Sequence, residues 1–261
     1  MLFTRDDRNA VAHLRMTAPE RLNALSDAML AALHGALDDI AQDRTVRAVI
    51  LSGEGKGFCA GHDLKEMQAG RAGADGGAAY FADLFKRCAA LMLRIQSIPQ
   101  PVIAMPHGIA TAAGCQLVAT CDMAVAAHGT RFGVNGVNIG LFCSTPMVAL
   151  TRNIPRKAAF EMLTTGRFID TDEALRLGLI NRAVPADQLA SATQELAETV
   201  AGKLASAVAI GKQAFYAQAQ METAQAYAYA GEVMTTNMLE RDTDEGISAF
   251  LEKRTPDWSD R

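Results

Sequence analysis

Two short turns rich in small residues carry the groups of this chain that could do chemistry. One spans residues 58–64 (FCAGHDL) and the other spans residues 110–117 (ATAAGCQL). Small residues let backbone N–H groups approach a ligand closely, and a helix that begins at the turn adds the positive end of its dipole. N–H groups fixed in this way stabilise negative charge on a carbonyl or thioester oxygen. Taken alone, each turn is also typical of an ordinary strand-to-helix connection.

The elements around the two turns indicate how they are positioned. Residues 46–51 and 102–105 are short, buried-type apolar runs that precede the turns, and helices are predicted to begin near Leu64 and Ala112. Strands that alternate with helices indicate crossover units on a largely parallel sheet. Because the carboxyl ends of parallel strands meet at one edge of a sheet, the sequence predicts an α/β fold with both turns at that edge.

Periodicity and turn residues predict the remaining elements. We expect strands at 2–4, 11–15 and 123–126, a turn at 6–9, a mobile Gly/Ala-rich loop at 68–79, and helices from the N-cap Ser26 to 40, at 84–98, 170–178, 186–201, 207–219, 224–239 and 245–253. We predict a core over residues 1–200 and a helical oligomerisation region over 201–261. The helices of that second region cannot bury all of their apolar faces alone, which favours contacts between subunits.

Composition excludes several classes of protein. Hydrophobic residues make up 49% of the 261 residues, which is enough for a sizeable core, and the net charge of −4 argues against nucleic-acid binding. The five cysteines lack the spacing of a zinc site, no GxGxxG dinucleotide motif occurs, and no apolar run could span a membrane. No secretory or transit signal is visible. We therefore expect a soluble cytoplasmic protein with reduced thiols and no metal or redox cofactor.

A longer series of motifs is more specific than either turn. It comprises residues 20–26 (ERLNALS), 46–53 (VRAVILSG), 58–64 (FCAGHDL), 108–115 (GIATAAGC), 131–133 (RFG), 163–167 (LTTGR), 173–180 (EALRLGLI) and 245–254 (EGISAFLEKR). In this order the motifs resemble the enoyl-CoA hydratase/isomerase (crotonase) superfamily over essentially the full chain. The runs at 110–119 and 140–146 resemble most its branch of enoyl-CoA hydratase domain-containing protein 3.

This resemblance implies a fold, a ligand and an assembly. The fold would be a crotonase-like spiral of ββα units with a C-terminal helical trimerisation region, assembled as a homotrimer or a dimer of trimers. The ligand would be an acyl-CoA thioester whose oxygen is held by the backbone N–H groups of His62 and Ala113. The residues implied to contact coenzyme A are Arg21, Ala24, Ala60, His62, Asp63, Leu64, Lys65 and Ala113, with Phe250 and Lys253 reaching a neighbouring subunit.

The chain departs from the family pattern at two positions. Hydratases of the family use two glutamates that flank one water, and here Gln116 and Gly136 occupy their places. A carboxamide orients water but is no base near neutral pH, and glycine has no side chain. Ser144, or the adjacent Cys143, is our candidate for a polar group near the acyl end, although both could simply shape a loop before Pro146.

Several other side chains allow more than one interpretation, and others are expected to be structural. The His62 imidazole could face the pocket and titrate near neutrality, or it could pack elsewhere while only its backbone serves the site. Tyr80, Phe81 and Phe85 could wall an acyl pocket or belong to the core. Cys59 in the first turn and Cys115 in the second are expected to be packing residues, and Asp122 is expected to be a cap or turn group.

Three hypotheses for function follow. The first is an enzyme of the lyase/isomerase class that stabilises a thioester enolate without the two-glutamate mechanism; decarboxylation, thioester hydrolysis or a specialised isomerisation would fit it. The second is a non-catalytic or regulatory acyl-CoA-binding protein. The third is an ordinary enoyl-CoA hydratase/isomerase of fatty-acid metabolism with unusual residues, which is disfavoured because hydration without the carboxylates loses its general acid/base contribution.

Overall fold

The computed structural model describes residues 2–258, which form nine strands and eleven α-helices. The strands are β1 (Phe3–Arg8), β2 (Val11–Met16), β3 (Ala48–Gly53), β4 (Val102–Met105), β5 (Ile109–Thr111), β6 (Met123–Ala127), β7 (Arg131–Gly133), β8 (Phe168–Ile169) and β9 (Arg182–Val184). The helices are α1 (Asp27–Gln42), α2 (Leu64–Gly70), α3 (Ala78–Ser97), α4 (Ala113–Thr120), α5 (Ser144–Leu150), α6 (Arg156–Thr165), α7 (Thr171–Leu177), α8 (Leu189–Ala201), α9 (Ala205–Gln218), α10 (Thr223–Met238) and α11 (Arg241–Glu252). Short 3₁₀ helices occur at Pro19–Arg21, Asn135–Ile139 and Ala186–Gln188.

The main sheet has six strands in the order β1-β2-β3-β4-β6-β9. Its pairs are parallel from β2 to β9, and the β1–β2 hairpin is antiparallel. The largely parallel sheet predicted from the alternation of strands and helices is therefore confirmed. A second sheet, β5-β7-β8, lies beyond the ends of the main strands and was not predicted. Its strands have only two or three residues each, too few to show a periodicity.

The sheet is covered on both faces, which explains why β3 reads as an unbroken apolar run. Val49 and Leu51 join a large core cluster with α1, α3 and α4, whereas Ala48 and Ile50 join a smaller cluster under α8. Helices α1 and α3 pack against each other over the first face. The two carboxyl ends of β3 and β4 therefore emerge from a rigid, buried layer, and the two turns follow them.

Two local predictions were wrong at their edges. Residues 6–8 belong to β1, and the hairpin turns at Asn9 and Ala10, whose φ angles are 51° and 61°. The region predicted as a mobile loop, 68–79, is divided between the end of α2, a series of turns at 71–77 and the start of α3. Gly and Ala carry little amphipathic signal, so the helix ends that pack in this region were not visible in the sequence.

The C-terminal quarter is helical, as predicted, and α9 is fixed to the core by a buried cluster. Lys212 of α9 donates from Nζ to the carbonyl oxygens of Ile95 (2.7 Å) and Gln100 (2.9 Å) and to Asp122 Oδ2 (2.8 Å). Within residues 2–258, no helix is both long and apolar enough to cross a bilayer. Met1 and residues 259–261, at the ends of the two predicted regions, lie outside the described residues.

Candidate functional site

The two small-residue turns lie side by side at the carboxyl ends of β3 and β4. Cys59 pairs with Ala110 in a parallel bridge. The Cys59 N–H donates to the Ile109 carbonyl oxygen (3.2 Å), and the Thr111 N–H donates to the Cys59 carbonyl oxygen (3.0 Å). The predicted meeting of the turns at one edge of the sheet is therefore confirmed, and main-chain hydrogen bonds hold them together.

Two glycines allow the turns to approach as closely as they do. Gly61 has a φ of 88°, and a Cβ built on it would lie 3.0 Å from the backbone nitrogen of Ala113. A Cβ on Gly114 would overlap the carbonyl oxygen of Cys59. A larger residue at either position would separate the turns, and with them the N–H groups of His62 and Ala113.

The N–H groups of His62 and Ala113 are available to a ligand. In the part of the chain that the structure describes, neither donates a hydrogen bond to a protein acceptor. Ala113 is the first residue of α4, so its N–H belongs to the positive end of that helix. The preceding residue, Ala112, has φ 50° and ψ −120°, a conformation that favours glycine and costs an alanine about 1–3 kcal/mol.

Asn23 supports the first turn and was not singled out in the sequence. The side chain is fully buried; its Oδ1 accepts from the Ala18 N–H (3.0 Å), and its Nδ2 donates to the carbonyl oxygens of Glu54 and Gly57 (2.9 Å each). The neighbouring Leu25 N–H donates to the Gly61 carbonyl oxygen (2.7 Å). The position of Asn23 inside the 20–26 motif was the only sequence signal that could have identified its role.

The His62 imidazole packs away from solvent. Its Nδ1 lies 3.4 Å from the Leu25 carbonyl oxygen, and its ring meets Phe85 of α3 edge to face with centroids 5.9 Å apart. Its Nε2 is buried and has no hydrogen-bond partner. Burial lowers the pKa of His62 below its ordinary 6.5, so the ring is neutral at physiological pH.

Asp63 has a structural role through its carboxylate. It is the N-cap of α2, where Oδ1 accepts from the N–H groups of Lys65 (2.8 Å) and Glu66 (3.3 Å). Its Oδ2 accepts from Arg21 (3.2 Å), which ties the half-exposed arginine to the start of α2. Leu64 and Lys65 are exposed on the first turn of α2, next to the two N–H groups.

The remaining residues predicted to contact coenzyme A divide into two places. Ala24 and Ala60 lie beside the first turn, and the Ala60 N–H donates to the Leu22 carbonyl oxygen (3.0 Å). Phe250 and Lys253 lie at the end of α11, where Phe250 is 81% exposed.

Gln116 is buried on α4, one turn after Ala113. The side chain is 5% exposed, and its Oε1 is buried without a hydrogen-bond partner. A buried acceptor of this kind requires a donor, and water or a ligand group can supply it. The geometry places this carboxamide on the same helix that presents the Ala113 N–H.

Gly136 is closely covered by the chain that follows it. A Cβ on Gly136 would overlap the carbonyl oxygen of Leu141 and lie 2.9 Å from Cys143 Sγ. The Leu141 N–H donates back to the Gly136 carbonyl oxygen (3.0 Å), which closes the loop over residue 136. The space that a side chain here would need is therefore already filled by the 141–143 segment.

Of the two polar candidates after this loop, Cys143 is the inner one. Cys143 is 6% exposed, whereas Ser144 is exposed at the start of α5 and its Oγ contacts the Phe142 carbonyl oxygen at 3.4 Å. A second polar pair joins β5 to the 3₁₀ helix at Asn135–Ile139, where Thr111 Oγ1 donates to Asn135 Oδ1 at 2.5 Å. The candidate groups at this end of the site are therefore neutral.

The aromatic residues predicted as a possible acyl wall are only partly buried on α3. Tyr80 and Phe81 meet edge to face, and the Tyr80 hydroxyl contacts Asp27 Oδ1 at 3.5 Å. Arg87 also donates to this carboxylate oxygen (2.9 Å). Because these contacts connect α3 to the start of α1, they frame the side of the site on which His62 packs.

The cysteines of the two turns are not activated nucleophiles. Burial raises the pKa of Cys59 to about 12 and that of Cys115 to about 12. A thiol with such a pKa is protonated at neutral pH and acts as a small apolar group. Among residues 2–258, no group of three or more His, Cys, Asp or Glu side chains could hold a metal ion.

Asp122 is more than the cap or turn group that we predicted. It accepts hydrogen bonds from the Val102 N–H (2.6 Å), Lys212 Nζ (2.8 Å) and the Tyr216 hydroxyl (2.7 Å). The two partners from α9 lie about 90 residues away in the chain, so sequence spacing gives no sign of them. This cluster lies at the amino ends of β4 and β6, whereas the two turns lie at the carboxyl ends of β3 and β4, and it has a structural role.

Comparisons with known proteins agree on one family. The family profile described as enoyl-CoA hydratase/isomerase matches residues 6–261. The mitochondrial enoyl-CoA hydratase domain-containing protein 3 of Mus musculus is 44% identical over 252 residues, which cover 97% of this chain and 82% of that protein.

Two solved structures superpose closely. A crystal structure of an enoyl-CoA hydratase from Mycobacterium smegmatis matches with a TM-score of 0.94 at 52% identity, over 99% of both chains. The human enoyl-CoA hydratase domain-containing protein 3 matches with a TM-score of 0.93 at 41% identity, over 99% of this chain and 100% of that one. The α/β fold class and the family branch predicted from the motifs are confirmed.

The predicted cytoplasmic location is contradicted by the same relatives. The proteins of mouse, rat and human that are 43–44% identical to this chain are mitochondrial. Our prediction rested on composition and on the lack of a visible targeting signal. Composition does not encode a cellular address, because addresses are short segments that are recognised separately from the fold.

Proposed function

Because the chain belongs to the enoyl-CoA hydratase/isomerase family, we propose that it binds acyl-CoA thioesters and stabilises an enolate or oxyanion at the thioester oxygen. The two donors are the backbone N–H groups of His62 and Ala113. Charge that develops on the oxygen is stabilised by donors that are already in place, which removes the cost of reorienting water.

The approach of Gly61 to Ala113 is the observation that carries this proposal. A methyl group at Gly61 would lie 3.0 Å from the Ala113 nitrogen, so the turn that presents the His62 N–H abuts the turn that presents the Ala113 N–H. Main-chain bonds between residues 59 and 109–111 fix both turns. The strained backbone of Ala112 supports a functional role, because such conformations persist where the surrounding structure imposes them.

We further propose that the reaction does not use two carboxylates. Gln116 supplies a neutral carboxamide, and the loop 141–143 fills the space beside Gly136. The acyl end of the site then contains Gln116 and Cys143 with Ser144 outside it. Reactions that need an oxyanion hole but no strong base, such as decarboxylation or thioester cleavage by water, fit this set of residues better than hydration does.

Coenzyme A is proposed to lie along the start of α2. Lys65 is exposed there and offers a mobile ammonium to a phosphate, while Arg21 is held nearby by Asp63. Ala24, Ala60 and Leu64 would provide apolar contact, and the main chain of Asp63 would border the ligand. Because the Asp63 carboxylate accepts three hydrogen bonds from protein donors, it is not proposed to contact the ligand directly.

The helices beyond residue 200 are proposed to contact neighbouring subunits in a homotrimer or a dimer of trimers. Their exposed apolar residues support this, since Tyr227, Leu239 and Phe250 are each more than three-quarters exposed in the single chain. In such an assembly Phe250 and Lys253 would reach the coenzyme A of the next subunit. Light scattering coupled to gel filtration tests the subunit number directly.

A non-catalytic acyl-CoA-binding protein is the second candidate. The closed loop over Gly136 favours it, because no side chain can return to that position without a shift of the backbone. The backbone N–H groups of His62 and Ala113 favour catalysis, because donors placed for a developing charge stabilise the transition state more than the ground state.

One experiment separates the two candidates. The purified protein is incubated in deuterated water with acyl-, enoyl- and malonyl-type CoA thioesters, and the masses of all thioesters are read. Deuterium at the α-carbon or a product mass above the heat-killed control is expected for enolate chemistry. Saturable binding of the same thioesters without exchange or product would support the non-catalytic binding protein. Absence of binding would contradict both candidate functions.

A further inference from the structure

Ala112, in the second turn, is held in a strained backbone conformation. Its φ of 50° and ψ of −120° lie outside the regions open to residues that carry a Cβ, and glycine takes this combination without a steric cost. Leu22 and Lys253 also have positive φ, but their ψ angles of 42° and 38° place them in the left-handed helical region, which other residues tolerate. The strain at Ala112 therefore requires a cause in the surrounding structure.

Two hydrogen bonds impose this conformation. The Ala112 N–H donates to the Gly133 carbonyl oxygen (2.8 Å), which holds the peptide plane before the residue. The Ala112 carbonyl oxygen accepts from the Gln116 N–H (3.0 Å), which holds the peptide plane after it. Because φ and ψ are the rotations between these two planes, neither angle can relax without loss of a hydrogen bond. The β5–β7 pairing and the start of α4 therefore fix Ala112 together.

The peptide plane after Ala112 carries the Ala113 N–H. In a trans peptide the C=O and N–H groups point in opposite directions, and the described part of the chain contains no cis peptide bond. The Ala112 carbonyl points along α4 towards Gln116, so the Ala113 N–H points out of the start of that helix. The ψ angle of Ala112 therefore sets the direction of this donor.

The Ala112 methyl group lies against the other turn. A Cβ on Gly61 would lie 3.0 Å from the Ala112 Cβ, and Gly61 immediately precedes His62, which carries the second donor. Ala112 is half-buried and packs against the main hydrophobic core. Glycine at this position would relieve the strain, but it would remove the methyl contact and open further backbone conformations to the turn. An alanine here therefore limits the directions of the Ala113 N–H at a cost in stability.

We propose that Ala112 is a positioning residue of the oxyanion site, whose methyl group and strained backbone hold the Ala113 N–H in one direction before a ligand binds. A donor that is already oriented stabilises a developing charge without further reorganisation. This role of Ala112 rests on the proposed function, because the direction of the N–H matters only if an oxygen binds to it.

Infrared difference spectra of bound hexanoyl-CoA, isotope-labelled at the thioester carbonyl, report the direction of the donor. A well-aligned hydrogen bond lowers the C=O stretching frequency, and a misdirected donor lowers it less. The wild-type protein is expected to shift the band below its position in buffer. Ala112→Gly is expected to lose part of this shift or to split the band in two.

Kinetics on any thioester that the wild-type protein turns over give a second measurement. Ala112→Gly is expected to lower kcat by about three- to thirtyfold while KM changes by less than about twofold. The expected loss is smaller than the 10²–10³-fold that complete removal of an oxyanion donor costs, because the N–H is still present but less well oriented.

Ala10→Gly is the matched control. Ala10 also has a positive φ, 61°, but it lies in the β1–β2 hairpin turn, where its carbonyl oxygen accepts from the Arg47 N–H (2.8 Å) near the amino end of β3. Both changes relieve a positive φ, so both variants are expected to unfold at or above the urea midpoint of the wild type. Ala10→Gly is expected to keep the wild-type carbonyl band and turnover.

Two results would overturn this role of Ala112 alone. One is a carbonyl band that the wild type and Ala112→Gly shift equally. The other is a urea midpoint of Ala112→Gly well below that of the wild type, since the alanine would then be a stabilising packing residue. A wild-type protein that does not bind hexanoyl-CoA, or binds it without a band shift, would instead contradict the proposed oxyanion hole, and the role of Ala112 with it.

Discussion

The α-carbon of Gly61 faces the backbone nitrogen of Ala113 so closely that a methyl group on Gly61 would lie 3.0 Å from that nitrogen. At this distance an added methyl group would push one turn away from the other, but only by an amount to which the chain can adjust. Gly61→Ala therefore changes the spacing of the two N–H donors without removing either of them.

Gly61→Ala is expected to lower the turnover of any thioester substrate by up to about 10²–10³-fold, because complete loss of one oxyanion donor has an effect of that size and a displaced donor loses part of its contribution. It also places an alanine at positive φ, which costs stability by itself. Gly129→Ala is the matched control, because Gly129 has a φ of 80° with nothing within 4 Å of its added Cβ. Equal activity in the two variants, measured alongside urea unfolding, would contradict the proposed hole.

Gly136→Ala is expected to destabilise the fold by about 1–3 kcal/mol, because the new methyl group overlaps the Leu141 carbonyl oxygen and crowds Cys143. Gly35→Ala, in the middle of α1 with open space around it, should instead gain roughly 0.5–1 kcal/mol. Urea unfolding compares them. If Gly136→Ala were as stable as Gly35→Ala, the 141–143 loop would be free to move and a carboxylate could be restored there.

His62 is expected to make the fold acid-sensitive. Burial lowers its pKa below 6.5, so the neutral ring is favoured in the folded state. This contribution to stability is fully present above pH 6.5 and is lost as the pH falls through the folded pKa, because the unfolded chain binds the proton more readily. His62→Gln should therefore lose less stability than the wild type between pH 7.5 and pH 5, and identical losses would show that the ring is not buried as described.

Lys212→Met is expected to destabilise the protein by up to about 3–5 kcal/mol, because it removes the buried cation that pairs with the partly buried Asp122. The comparison is Asp83→Asn, which breaks an exposed pair with Arg87 on α3 and should cost less than about 0.5 kcal/mol. Thermal unfolding of both variants checks the difference. Similar small costs would mean that α9 is held by its apolar contacts instead of by this ion pair.

The positions of the two turns could be predicted from the sequence, because β3 and β4 are apolar runs that end at glycine- and alanine-rich segments. The N-cap of α1 was also predictable, and Ser26 accepts from the Met29 N–H at 3.1 Å. These features depend on neighbours in the chain, where residue type and spacing are enough.

The features that escaped prediction depend on contacts between distant segments. The start of α3 at Ala78 has no amphipathic signal of its own, and Tyr80 is instead placed by its contact with Gly70. Asn23 joins turns some thirty residues apart, and the direction of the His62 ring is set by Leu25 and Phe85. The filled space beside Gly136 was equally invisible, since it is created by a main-chain oxygen.

The bond between Asp122 and Lys212 has a consequence for how the protein is made. The two residues are 90 positions apart in the chain. At a synthesis rate of roughly 5–20 residues per second, Lys212 is therefore added about 5–20 s after Asp122. During that interval Asp122 can still accept from the Val102 N–H and from water. The sheet can therefore form early, while final closure of the core around Asp122 is delayed until α9 has been translated.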